Sequence, residues 1–326
     1  MVKNLKDNRG VALILTILII SLLVILTLQF NTFMRSELYA TENLRDGIKL
    51  RYIARSGLNY ALAVLFEDRA ENDFDSQHEI WSDSELLSTE ASSLFEDYHL
   101  EISISDHSGR IQVNQLVDKN GKYNSTQKDL LIRLLNSEDF NTDPEEVEGI
   151  VDAIKDWIDG DNDVTEFGGA EDSYYQALET PYPCRNGPLE SLEELLLIRG
   201  ITRELFYGTN ETPGISRLLT IYGNGRININ TADPLVLVSL SDQIDRDMVL
   251  DMLSFREDEE NDLKPGNWYR KVPGMSHISL YPDLVTTSSS YFKIMTKGMR
   301  DNMSEGCEGL VQRKEGGIRI LSWEIL

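Results

Sequence analysis

Val11-Ala12-Leu13-Ile14-Leu15-Thr16-Ile17-Leu18-Ile19-Ile20-Ser21-Leu22-Leu23-Val24-Ile25-Leu26-Thr27-Leu28 is apolar on every face of a helix, and no charged residue occurs from Gly10 to Met34. A helix needs roughly 20 such residues to cross a hydrocarbon core, so the run is long enough to span one. Its few Thr, Ser and Gln interruptions can bond to the preceding helical turn. Lys3, Lys6 and Arg9 precede it, opposed only by Asp7. That bias keeps the N-terminus in the cytoplasm and sends the C-terminal bulk across. A secretory signal peptide would have a shorter apolar region followed by a small-residue cleavage site. Here the chain continues Gln29-Phe30-Asn31-Thr32-Phe33-Met34-Arg35, with no such site. A plain signal anchor is the other reading of the same residues.

The helical pattern runs on beyond the apolar stretch. Leu38, Tyr39, Leu44, Ile48, Tyr52, Ile53, Leu58, Ala61, Leu62 and Leu65 recur at steps near three and four, with charges between them. No Pro occurs before Pro144, so one helix is expected from Val11 to about Phe66, roughly 80 Å long at 1.5 Å per residue. Residues 67–97 are acidic and weakly patterned, and read as a loop with one short helix. Tyr98-His99-Leu100-Glu101-Ile102-Ser103-Ile104-Ser105-Asp106 alternates apolar with polar, the mark of a half-buried strand. Asp106-His107-Ser108-Gly109 follows as a turn, and Arg110 to Asn114 is expected to return as its partner strand. Tyr291–Met299, Gly309–Arg313 and Ile318–Trp323 repeat the strand pattern at the other end.

Strands at both ends with a helical block between them imply one sheet interrupted by an insertion, here placed at 124–288 in two halves (about 124–215 and 216–288). Leu130, Leu131, Leu134 and Leu135 mark one helix, and Val147, Ile150, Val151, Ile154 and Ile158 a second. Pro188–Leu195 is expected to open a third. Asn230 or Thr231 is expected to cap a helix carrying Leu235, Val236, Leu237 and Leu240. The expected fold class is therefore α+β: a long N-terminal transmembrane helix packed on an antiparallel sheet, with a large all-α domain inserted in the sheet.

Fifty-five Asp and Glu face 31 Lys and Arg in the 326 residues, a formal net charge of −24. Duplex nucleic acid and anionic lipid both require clustered cations, so neither is expected as a partner. The segment Ile227–Glu257 is similar to helix-hairpin-helix (SAM-like) modules, but its hairpin position, Leu240 to Asp247, is acidic and reads as a packing unit. The four His are scattered, and no His-Glu-x-x-His, Gly-x-Ser-x-Gly or phosphate-loop pattern occurs. Catalysis is not expected.

The acids concentrate between Glu138 and Asp172, with 14 carboxylates against the single base Lys155. Asp159, Asp161 and Asp163 stand at alternate positions, and Glu171 and Asp172 follow. Hard oxygen ligands at this density suit Ca²⁺. The EF-hand pattern is not met, since Val164 stands where its Gly should be and Ala170 where its last Glu should be. A solvated Asp/Gly/Asn turn is the alternative reading. Cys184 and Cys307 either bridge the insertion to the sheet or remain free thiols.

Arg9-Gly10-Val11-Ala12-Leu13 resembles the prepilin leader, which a dedicated peptidase cuts after Gly on the cytoplasmic face. The pilin Glu at the fifth mature position is replaced here by Leu15, which favours a subunit at a filament end. Further along come Asp156-Trp157-Ile158-Asp159-Gly160-Asp161, Gly169-Ala170-Glu171-Asp172-Ser173-Tyr174-Tyr175, Asn186-Gly187-Pro188-Leu189-Glu190-Ser191-Leu192, Ile227-Asn228-Ile229-Asn230-Thr231-Ala232 and the closing Leu321-Ser322-Trp323. In this order they resemble the general secretion pathway protein K family, minor pseudopilins of type II secretion.

The resemblance implies a pilin-like helix and sheet carrying the inserted domain, processing between Gly10 and Val11, and a place at the tip of the pseudopilus. It implies the sibling minor pseudopilins I and J as partners, with the H and major pseudopilins reached through them. Prepilin peptidase and the inner-membrane secretion platform are implied as well. Calcium sites in the inserted domain are also implied, which favours the metal reading of Asp159, Asp161, Asp163, Glu171 and Asp172. A tip minor pilin of a type IV pilus-like system, and an uncleaved signal-anchored periplasmic binding protein, are the alternatives.

Overall fold

The computed structural model of the protein describes residues 9–326 apart from Asn141 and Phe167, so most of the expected leader, residues 1–8, lies outside the described residues. Helix α1 (Arg9–Glu71) is continuous over 63 residues, roughly 95 Å at 1.5 Å per residue. The apolar run within it is exposed along its whole length. Thr16 and Ser21 donate their hydroxyls to the carbonyls of Leu13 and Ile17 at 2.8 and 2.6 Å, as the sequence suggested. From Leu50 onward one face turns inward: Leu50, Ile53, Ala54, Leu58, Ala61 and Leu65 are buried, at helical spacing.

Helix α2 (Ser84–Ser92) and strand β1 (His99–Asp106) follow, and then the chain leaves the sheet. The helical portion contains β2 (Ile111–Gln112), α3 (Ser125–Leu135), α4 (Pro144–Ile158), α5 (Asp172–Tyr175), α6 (Arg203–Tyr207), β3 (Leu219–Thr220), β4 (Ile227–Asn228), α7 (Pro234–Ser239), α8 (Arg246–Glu257) and β5 (Val285–Thr286). Strands β6 (Tyr291–Arg300), β7 (Met303–Lys314) and β8 (Gly317–Ile325) complete the sheet, whose order is β1-β6-β7-β8 with every pair antiparallel. Asp106 stands opposite Phe292 and His99 opposite Met299, so the 184-residue excursion between the two strands begins and ends at one end of the sheet.

Helix α1 crosses β6 and β7 closely because glycines let the backbones approach. A Cβ at Gly298 would lie 2.8 Å from the Leu50 carbonyl oxygen, and one at Gly309 would lie 2.8 Å from Leu58 Cδ1. Two separate apolar cores result. One joins α1, α2 and the sheet, and the other is built from the excursion, Ile111 to Val285, with Phe74 packed against it.

Several expectations are corrected. Ile111–Gln112 does not return beside β1; it pairs in parallel with Leu219–Thr220, and Ile111 belongs to the excursion's core. The sheet is therefore left at Asp106, well before residue 124. The excursion is not purely helical, since β2–β3 and β4–β5 form two short parallel ladders. No helix opens at Pro188: a single 3₁₀ stretch, Leu192–Leu197, starts later, under a Ser191/Glu194 capping box. Helix α7 is capped by Asp233, whose carboxylate accepts the Leu235 N–H at 3.0 Å, because Pro234 fixes the first helical residue. Asn230 and Thr231, the expected caps, are consumed elsewhere.

They help to lock the excursion to the sheet. Asn228 and Asn230 donate their side-chain amides to the Asp75 carbonyl at 3.1 Å each, and Trp268 Nε1 donates to Asn230 Oδ1 at 2.7 Å. The Asp75 carboxylate pairs with Arg313 of β7 and accepts the Ser289 N–H at 2.6 Å. Thr231 and Ser289 both donate hydroxyls to Asp106 Oδ2 at 2.5 Å. One buried polar knot thus ties together the end of α1, the last residue of β1, the helical unit and β7.

Candidate metal centre in the acidic segment

Helix α4 is strongly amphipathic, and its last turn delivers Asp156 and Asp159 to the protein interior, both almost fully buried. Asp159 ends the helix, its N–H still bonded to the Lys155 carbonyl at 2.8 Å. The chain then bends over Asp159–Asp161, so that Asp161 comes beside Asp159. Glu171, on the N-terminal edge of α5, closes the group from the other side. Ligand oxygens of Asp159, Asp161 and Glu171 all lie within 4.8 Å of one another.

Two buried carboxylates, Asp159 and Glu171, and the exposed Asp161 repel one another as anions in so small a space unless something positive intervenes. Lys155 neutralises only part of this charge: its ammonium bonds Asp159 Oδ2 and the Thr165 hydroxyl, the latter at 2.8 Å. Asp159 Oδ1 and both carboxylate oxygens of Glu171 are buried without any hydrogen-bond partner among the described residues. Asn186 Oδ1 is in the same condition. That residue holds a left-handed backbone (φ 48°) and donates its amide to the Asp161 carbonyl at 2.6 Å and to Asn162 Oδ1 at 3.1 Å. Burial, and then the carboxylates of Asp156 and Asp159, push the Glu171 carboxyl up to about 7. Burial also raises Asp159, against the pull of Lys155. Three orphaned carboxylate oxygens in this cluster, with the unpaired Asn186 Oδ1 on the neighbouring turn, fit a cation that takes 6–8 oxygen ligands.

The structure brings together three of the five residues expected from sequence. Asp163 stays exposed, and it is its backbone N–H, bonded to Asp161 Oδ1 at 2.9 Å, that serves the turn. Asp172 turns away to accept the Cys184 N–H at 2.6 Å. Asn186 was missed as an oxygen donor; the only local signal is the turn-forming Asn186-Gly187-Pro188. The bridge considered between Cys184 and Cys307 does not form. Both are buried free thiols, Cys184 in the core of the excursion and Cys307 in the core under the sheet. Of the expected processing pair, Gly10 and Val11 sit exposed in the first turns of α1.

Residues 109–208, which carry the whole carboxylate cluster, match the family model described as type II secretion system (T2SS), protein K. The type II secretion system protein K of Aeromonas hydrophila is 25% identical over 304 residues, covering 88% of either chain. Its namesake from Pseudomonas aeruginosa is 26% identical over 72% of this chain and 68% of its own. In three dimensions the fold is similar to a chain of the GspK-GspI-GspJ complex from the type 2 secretion system of enterotoxigenic Escherichia coli. The TM-score is 0.70 at 16% identity, over 88% of this chain and 99% of that one. Residues 109–208 thus carry the type II secretion system protein K domain, and over most of its length the chain is similar in sequence to proteins K of that system and in fold to the chain of the enterotoxigenic complex.

Proposed function

We propose that the protein is a minor pseudopilin at the tip of the pseudopilus, where it initiates or caps assembly and assists export of folded proteins across the outer membrane. In this reading prepilin peptidase cuts between Gly10 and Val11. The run Val11–Phe30 then holds the chain in the inner membrane, N-terminus cytoplasmic, until it passes into the filament. The sibling pseudopilins I and J are the immediate partners, as the composition of the enterotoxigenic E. coli complex suggests. The role is structural, with no catalytic step.

The observation that carries this reading is where the excursion leaves the sheet. Phe292, Val311 and Arg313 lie at that end, and Arg313 donates to the Leu65 carbonyl at 3.3 Å and pairs with Asp68 at 2.7 Å, at the close of α1. The helical unit therefore sits at the end of α1 farthest from the apolar run. A unit of that bulk can project past the end of a helical filament, but it cannot be repeated inside one. Gold label attached to the excursion should decorate isolated pseudopili at one end only, and label spaced along the shaft would reject the tip position.

Within the excursion, Asp159, Asp161, Glu171 and Asn186 are proposed to hold one structural Ca²⁺. The ion would supply the positive charge that Lys155 alone does not, and would fasten the end of α4 to α5 and to the Asn186 turn. Isothermal titration of the full chain in detergent with CaCl₂ should give saturable binding below millimolar concentration. A flat titration at millimolar Ca²⁺ would reject the site.

A further inference from the structure

The two edges of the sheet are finished differently. On the β1 edge, Ser92 and Ser88 of α2 accept the outward N–H groups of Leu100 and Ile102, each at 2.9 Å, and donate back to the same residues' carbonyls at 3.2 and 3.4 Å. That edge is closed to further strands. The β8 edge has no such cover: among the described residues no backbone group bonds its outer side. Leu326 donates its N–H inward to the Gly306 carbonyl at 3.0 Å, so by the two-residue period Trp323 and Ile325 present their backbone groups outward.

Natural edges of this length are usually blunted by charge, Pro or a covering element. Strand β8 holds only Arg319 and Glu324 as charges, and exposes Ile320, Leu321, Trp323 and Ile325, with Leu326 following. Trp323 and Ile325 stand opposite Gly309 and Cys307, on the α1 side of the sheet, yet both remain exposed. The Arg55 guanidinium lies over the Trp323 ring at 5.1 Å, and the exposed Tyr52 and Ile48 continue the surface along α1 toward its apolar run.

We propose that β8 is a docking edge for a strand of a second pilin-like subunit, whose own long helix lies along the Ile48–Tyr52 flank of α1. The inference rests on the pseudopilin reading and adds the surface to it. Outward N–H and C=O groups call for an extended backbone, and the apolar flank calls for a helix running beside α1. An occupant meeting both demands is built as this chain is, a long helix packed on a sheet. A second copy is disfavoured by charge, since each copy carries −24 and a large acidic excursion.

The test places a photo-crosslinking amino acid at Trp323 in the full chain in its native membrane, and in a separate variant at Glu101 on the closed edge. Position 323 should capture a smaller pilin-like subunit and position 101 none. Trp323→Pro removes an outward N–H that β7 does not use, and should cut recovery of that subunit at least tenfold, while the melting temperature of the chain in detergent stays within a few degrees. If Trp323→Pro unfolds, Trp323→Lys with Ile325→Lys keeps the backbone and should give the same loss. Recovery of the subunit with cross-links only elsewhere would overturn the edge and leave the pseudopilin reading standing. Cross-links to a second copy would overturn it in favour of a dimer. Failure of the unmodified chain to recover any pilin-like subunit would sink both.

Discussion

Glu171 ends up with both oxygens buried and unbonded, while the neighbouring carboxylates of Asp156 and Asp159 raise its affinity for a proton. Its ordinary value lies near 4.5 and the folded value at about 7, so across that window the folded chain holds a proton that the unfolded chain has lost. Stability without a cation should therefore be full below about pH 4.5 and fall as pH rises toward 7. Glu79, also pushed up to about 7 by burial, acts in the same direction. Melting of the full chain in detergent with chelator should show this decline, and Glu171→Gln should remove part of it. Ca²⁺ at about a hundred times its Kd should add ~2.7 kcal/mol, roughly 5–10 °C in melting temperature at neutral pH. Asp159→Asn or Glu171→Gln should abolish that gain, whereas Asp163→Asn should keep it.

At the scale of elements, the contact of α1 with the sheet depends on missing side chains. Gly298→Val places a methyl-bearing carbon against the Leu50 carbonyl, which is backbone and cannot yield without moving the helix. A loss of about 1–3 kcal/mol is expected in denaturant unfolding. Gly309→Ala meets only the flexible end of Leu58 and should cost less. The knot around Asp75 is the other dependency. Arg313→Met leaves Asp75 and Asp68 without their counter-charge in a buried site, and should cost about 3–5 kcal/mol. Limited proteolysis of that variant should show the helical unit released from the sheet while each retains its own core. None of this was legible beforehand: Asn230 reads as a helix cap, and only the fold shows it and Asn228 bonded to Asp75.

For the whole molecule the decisive observation is covalent. Protein extracted from its native membrane should give an N-terminal sequence beginning Val11, with the intact mass lowered by residues 1–10. A chain still starting at Met1 would leave Gly10 without a processing role and favour an uncleaved anchor. The sequence by itself determined the long helix, the strands at both chain ends and the acidic segment, because these follow from local periodicity and from charge density that neighbours along the chain impose on one another. Only the tertiary structure decided that Ile111–Gln112 pairs with Leu219–Thr220, that the two cysteines lie in different cores, that Asp159, Asp161 and Glu171 come together while Asp163 and Asp172 do not, and that Asn186 bonds the Asp161 carbonyl. Those outcomes depend on which distant segments come to share a buried space. There an unpaired oxygen or a single misplaced Cβ costs more than any local preference can offset.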